Sequence, residues 1–269
     1  MVITMNFQMI LIATVVVAAV GLIIGVLLGI AGQKFYVEVD EKEEKVRAAL
    51  PGNNCGGCGY AGCDGLAAAI VKGEAEISGC PVGGAAVAAK VGEIMGVDAS
   101  GVEKKVAFVK CAGNCEKAGK DYNYSGINDC RMATVLPGGG DKSCIYGCLG
   151  YGSCVSVCEF GALSIKDGIA VVDKEKCVSC GKCVKACPKN LIELVPYDAD
   201  CKVRCASKDK GKDVRAVCTA GCIACGMCER NCPQKAVNVV DNVAVIDYEK
   251  CTRCGLCATK CPTKVITGI

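Results

Sequence analysis

Histidine and tryptophan are absent from the 269 residues, and aromatic side chains make up only 4%. Without an imidazole there is no histidine general base, and every zinc site that mixes cysteine with histidine is excluded. No G-x-G-x-x-G follows a strand-like segment and no P-loop occurs, so no nucleotide site is evident. The formal charge is only +3, which points to no nucleic-acid partner. That figure omits the negative charge that ligating thiolates would add. Lys174, Lys176, Lys182 and Lys185 could offset it, or could be ordinary solvated surface lysines.

What is abundant is cysteine, with 26 residues. A content near one in ten marks small secreted disulfide scaffolds, but those spread their cysteines singly. Here they recur as C-x2-C-x2-C-x3-C-P, the bacterial ferredoxin run. An all-cysteine zinc ribbon uses two C-x2-C pairs and would leave the third close cysteine of each run idle. The expected cofactors are therefore [4Fe–4S] clusters. Thiolates kept free for clusters imply a reducing compartment, hence the cytoplasmic side of a membrane.

Ile10 to Ala31 carries no charge, and such a length of helix spans roughly 30 Å, the thickness of bilayer hydrocarbon. A secretory signal has a basic start and a shorter apolar core, whereas the first charge here is Lys34. A permanent single-pass helix is expected. Lys34, Lys42, Lys45 and Arg47 all follow it, which places the C-terminal bulk in the cytoplasm. Gly21, Gly25 and Gly29 form a stripe that suits close approach of another membrane helix, or reflects ordinary glycine frequency in such helices.

Four regions are expected: an anchor over 1–33, a helical cluster domain over 34–104, and two repeats over 105–198 and 199–269. The fold class is α+β. In the second region, Cys55, Cys58, Cys63 and Cys80 make one complete ligand set, with Ala-rich helices between Asp64 and Lys72 and between Gly83 and Gly96. The repeats open with Val109-Lys110-Cys111-Ala112 and Val203-Arg204-Cys205-Ala206, each a short strand-like lead before a two-cluster module.

The second module is regular, and its fourth cysteines are expected to cross between clusters. The sets are Cys222, Cys225, Cys228 with Cys261, and Cys251, Cys254, Cys257 with Cys232. The alternating segments on either side of Asp241-Asn242 predict a hairpin, and Ile169 to Val172 after Asp167-Gly168 predicts its counterpart. The first module pairs a standard run at Cys177 with a stretched one at Cys144, in which Glu159 replaces the proline. Crossing gives Cys144, Cys148, Cys154 with Cys187, and Cys177, Cys180, Cys183 with Cys158. Cys218-x3-Cys222-x2-Cys225 also matches the triad of radical S-adenosylmethionine enzymes, but the 44 residues that follow leave no room for their barrel.

Six cysteines remain after five clusters: Cys111, Cys115, Cys130, Cys201, Cys205 and Cys218. If the two leads pack together, Cys111, Cys130, Cys205 and Cys218 make a sixth cluster and Cys115 and Cys201 are spare. The alternative is buried free thiols.

Three segments carry a family resemblance: Leu50-Pro51-Gly52-x-Asn54-Cys55-Gly56-x-Cys58-Gly59, Cys144-Ile145-Tyr146-Gly147-Cys148-Leu149-Gly150, and Tyr124-x-Gly126-Ile127-x-Asp129-Cys130. With the apolar N-terminal helix and Asp209-Lys210-Gly211, the whole chain resembles the B-subunit of the Rnf-type ion-translocating ferredoxin:NAD oxidoreductases, in its long multi-cluster form. The resemblance implies an electron relay that accepts electrons from reduced soluble ferredoxin. It would pass them through about six clusters to membrane and peripheral subunits that reduce NAD and move H⁺ or Na⁺. The C-terminal module, farthest along the chain from the anchor, is the expected receiver. The rival readings are a relay component of a hydrogenase- or formate-linked membrane enzyme, and a redox sensor.

Overall fold

The computed structural model describes residues 7–34, 40–98 and 103–268. Two compact units emerge, Met1–Glu44 and Lys45–Ile269. The first is dominated by α1 (Phe7–Lys34), whose stretch Leu11–Gly32 has a mean hydropathy of 3.0 and none of its surface buried. A helix apolar on every side is suited to lipid rather than to one face of a soluble core. Among the described residues it is the one helix long and apolar enough to cross a membrane. The residues 35–39 of the expected juxtamembrane stretch lie outside the described residues; the remainder forms α2 (Glu41–Ala49).

In the second unit, α3 (Gly62–Val71) and α4 (Gly84–Met95) fall where the alanine-rich segments predicted helices. Leu66, Ala67 and Ile70 of α3 pack on Val46, Leu50 and Val91, and Gly96 closes α4 in a left-handed cap. The remaining elements are short. They run β1 (Lys105–Val109), α5 (Cys130–Thr134), α6 (Ser153–Ser156), β2 (Leu163–Lys166), β3 (Ile169–Val172), α7 (Lys182–Ala186), β4 (Ile192–Pro196), β5 (Lys202–Val203), α8 (Gly211–Val217), α9 (Met227–Arg230), β6 (Val237–Val240), β7 (Val243–Ile246), α10 (Leu256–Thr259) and β8 (Ile266–Thr267).

The two repeats share one topology. The hairpin β2–β3 turns at Asp167 and Gly168, and β6–β7 turns at Asp241 and Asn242, all with positive φ as a two-residue primed turn requires. Each lead strand pairs antiparallel with the last strand of its own module, β1 with β4 and β5 with β8. The lead strands thus pair within their own repeats and not with each other. Beyond those strands the two leads do meet, and Arg204 donates to the Cys111 carbonyl at 3.4 Å. Ala118 bridges Cys218, Gly119 N–H donates to the Val217 carbonyl at 3.3 Å, and Thr219 N–H donates to the Lys117 carbonyl at 2.9 Å.

Candidate metal centres

Each ferredoxin run bends its backbone by a recurring pattern of left-handed residues. Ser179, Ala224 and Arg253 stand at the second spacer of their C-x2-C and adopt φ of 62°, 53° and 61°. Gly181, Gly226 and Gly255 then cap the short helices α7, α9 and α10 at φ of 72°, 68° and 73°. Alternating hands turn successive N–H groups inward, the concave nest that suits an anionic iron–sulfur centre. The strain of a non-glycine residue in this region is about 1–3 kcal/mol, and persists where the surroundings over-determine it.

Four clefts of between 290 and 360 Å³ are ringed by thiols. One is lined by Cys158, Cys177, Cys180 and Cys183; a second by Cys222, Cys225, Cys228 and Cys261; a third by Cys232, Cys251, Cys254 and Cys257 together with Cys201. In the N-terminal domain Cys58, Cys63 and Cys80 lie together in the helical core, and Cys55 stands in the preceding turn. Among the described residues no three cysteines or carboxylates converge as ligands of one metal ion would. In the clefts the thiols are instead spread around the wall, as ligands of a multi-atom group would be.

The fourth cleft lies at the junction of the repeats, and here the structure departs from the expected grouping. Its thiols are Cys111, Cys144, Cys205 and Cys218. Cys130 stands instead with Cys148, Cys154 and Cys187, close enough that these thiols act electrostatically on Cys154. Both moves have a local cause. Ser143 N–H donates to the Gly119 carbonyl at 3.0 Å and Lys142 bridges Lys120, so residues 118–120 tie the Cys144 segment to Cys218. Cys130 begins α5, capped by the Asp129 carboxylate, and its N–H donates to Ser153 Oγ at 2.7 Å, immediately before Cys154.

A better alignment of the repeats would have found this. Cys144-x3-Cys148 and Cys218-x3-Cys222 both carry glycine before the second cysteine. Cys144 is then the counterpart of Cys218, as Cys111 is of Cys205, and the junction set is pseudo-twofold. Cys148, Cys154 and Cys158 correspond to Cys222, Cys228 and Cys232. The stretched run thus lacks a counterpart of Cys225, and Cys130 stands in that role.

Burial, followed by neighbouring thiols, raises Cys154 to about 12, Cys183 to about 11 and Cys228 to about 11. Cys257 is pushed to about 12 by burial and by Cys201, and Cys205 to about 11 by burial, with Cys222 and Cys144 nearby. Cationic iron in the cleft would stabilise these crowded thiols as thiolates. Backbone N–H groups already face several sulfurs. Ala162 donates to Cys158 Sγ, Leu191 to Cys187 and Ala236 to Cys232, at 3.3–3.4 Å, each four residues after its cysteine. Such hydrogen bonds set the reduction potential of a bound cluster. Cys115 is exposed and lines none of the four clefts, while Cys201 is buried beside Cys257.

The clefts form a continuous series. A Cβ on Gly57 would lie 3.0 Å from the Cys180 carbonyl oxygen, so the Cys55–Cys58 turn sits directly on the first module. Cys148 N–H donates to Cys111 Sγ at 3.4 Å, joining the first module to the junction. The Cys222 backbone hydrogen-bonds Cys205, joining the junction to the second module. Cys225 and Cys254 are exposed at the far end, whereas no cysteine from Cys144 to Cys187 is.

Comparison with known proteins agrees with this chemistry. The family model described as "Putative Fe-S cluster" matches residues 50–82, and "4Fe-4S binding domain" matches residues 170–193 and 244–267. The chain is 54% identical, over 90% of its length and 72% of the relative, to the B-subunit of the Na⁺-translocating ferredoxin:NAD⁺ oxidoreductase complex of Acetobacterium woodii. It is 44% identical to the B-subunit of the ion-translocating oxidoreductase complex of Methanosarcina acetivorans, covering 87% of this chain and 89% of the relative. It is 42% identical to the B-subunit of the proton-translocating ferredoxin:NAD⁺ oxidoreductase complex of Clostridium ljungdahlii, covering 87% and 82%.

Proposed function

The chain belongs to the B-subunit family of ion-translocating ferredoxin:NAD⁺ oxidoreductase complexes, and from that premise we propose that it receives electrons from soluble ferredoxin at its C-terminal module and carries them along six [4Fe–4S] clusters toward partner subunits. When bound, the clusters supply one-electron carriers. The polypeptide holds them in order, shields the interior thiols from water and keeps neighbours close.

The proposed path has six ligand sets, four of them lining clefts and two resting on the grouping of their thiols. They are Cys232, Cys251, Cys254 and Cys257; Cys222, Cys225, Cys228 and Cys261; Cys111, Cys144, Cys205 and Cys218; Cys130, Cys148, Cys154 and Cys187; Cys158, Cys177, Cys180 and Cys183; and Cys55, Cys58, Cys63 and Cys80. The observation that carries the reading is their continuity, from the exposed Cys225 and Cys254 to the turn at Gly57. The exposed thiols favour the C-terminal module as receiver. In the first module the corresponding Cys180 is covered by that turn. Contacts with a mobile carrier there would be small, as in transient redox encounters.

The division into an anchor, an N-terminal cluster domain over 34–104 and repeats over 105–198 and 199–269 describes this path. The anchor would hold the chain among the membrane subunits of the complex. Lys34, Lys42, Lys45 and Arg47 after the helix favour a cytoplasmic position for the clusters.

The test is iron and sulfide per chain on the anaerobically purified full-length protein, followed by reduction with ferredoxin under electron paramagnetic resonance. The expected result is about 24 iron atoms, four for each of six cubanes, with reduction within mixing time. About 20 iron atoms would remove one cluster, and full iron without reduction by ferredoxin would remove the proposed donor.

A further inference from the structure

Lys142 is a charged residue placed where charge is costly. It is 4% exposed and lines the junction cleft. Its Nζ donates to the Gly113 carbonyl at 2.7 Å and to the Cys148 carbonyl at 2.5 Å. It has no carboxylate partner among the described residues, since neighbouring Asp141 pairs with Lys120 at 2.7 Å. An ammonium taken out of water costs several kcal/mol unless a negative charge compensates it. Around Lys142, that compensation is available from the sulfurs of Cys111, Cys144, Cys205 and Cys218 and from neighbouring Cys148. Two more cations share the cleft wall. Arg204 donates to the Cys111 carbonyl at 3.4 Å, and Lys110 is neutralised in part by Glu193 at 2.8 Å. Asp209 faces Cys144 and acts in the opposite sense. The two clefts of the C-terminal module have no charged residue in their lining.

We propose that Lys142 is a positioning residue for charge: its buried ammonium makes the junction cluster more easily reduced than the clusters of the C-terminal module, so that electrons entering there move on to the junction between the two repeats. This rests on the junction cluster proposed above. Reduction adds one negative charge to the cluster. A fixed positive charge in a low-dielectric wall stabilises that state more than the oxidised one. Clusters in the C-terminal module, without such a charge, would pass electrons downhill to the junction. From there the electron continues through Cys148, whose carbonyl holds the same ammonium.

The experiment is a redox titration of the intact, cluster-loaded complex by electron paramagnetic resonance, with iron and sulfide counted in each sample. The junction signal is identified as the one that Cys205→Ser removes. In Lys142→Met with iron unchanged, that signal should need a potential at least about 59 mV lower, a tenfold change for one electron. Lys142→Arg should keep it near its original value, and the C-terminal signals should not move. Full iron with an unshifted junction signal overturns the proposal. Loss of the cluster in both Lys142→Met and Lys142→Gln also overturns it, in favour of a purely structural lysine. Full iron in Cys205→Ser would instead remove the junction cluster itself, and the proposal with it.

Discussion

In the C-terminal module both clefts take their clustered thiols from the two regular runs at Cys222 and Cys251, joined by the β6–β7 hairpin. The first module has the same hairpin and the same pairing of lead and final strand. Yet it takes Cys130 from its lead and gives Cys144 to the junction. The regular module draws its clustered thiols from its own runs and leaves Cys225 and Cys254 exposed, which suits the receiving end proposed above. The altered one has the Gly57 turn on one side and the junction on the other, which suits the proposed interior link. The two repeats share one topology and differ at the stretched run from Cys144 to Cys158.

Three substitutions and one control probe that contrast. The largest effect is expected from Cys130→Ser, which should lower iron by about four atoms per chain, one cubane's content. Cys115→Ser, four residues after Cys111 but exposed, should leave iron unchanged. An unchanged iron content in Cys130→Ser would return the first module to a ligand set drawn wholly from its runs. A smaller effect follows from Gly57→Val. Its side chain must enter the space beside the Cys180 backbone, an overpacking cost of about 1–3 kcal/mol. Thermal unfolding should come at a lower temperature and electron arrival at the Cys55 set should slow in rapid-freeze spectra, while the C-terminal module reduces at its usual rate. The smallest is Ser153→Ala, which removes the part-buried hydrogen bond to Cys130 N–H and should cost about 0.5–1.5 kcal/mol. Its iron should survive purification but be lost sooner to a chelator than iron in the parent protein. Equal loss rates would show that Ser153 does not hold Cys130 in place.

Much of this architecture was legible along the chain. The period-two segments flanking Asp241-Asn242 become β6 and β7, and the alanine-rich stretches become α3 and α4, because these elements depend on nearest neighbours. The thiols of each regular run lie within a dozen residues, so spacing alone brings three of every four together. Cys130 and Cys144 were misgrouped because their neighbours are chosen by contacts far along the chain: Ser153 for one, and the bridge from residues 118–120 to Cys218 for the other. Lys142 offered no motif to read. Its role depends on burial, which a lysine beside Asp141 and Ser143 does not announce.

Composition and local spacing were enough to establish the kind of chemistry, the presence of an apolar helix and the number of thiols available. Which thiols share the junction, where a buried ammonium stands, and how the clefts follow one another from Cys254 to Cys55 were decided by tertiary structure alone. Those depend on packing between segments scores of residues apart. There, shape and backbone hydrogen bonding select one arrangement from several that the same cysteine spacing would permit.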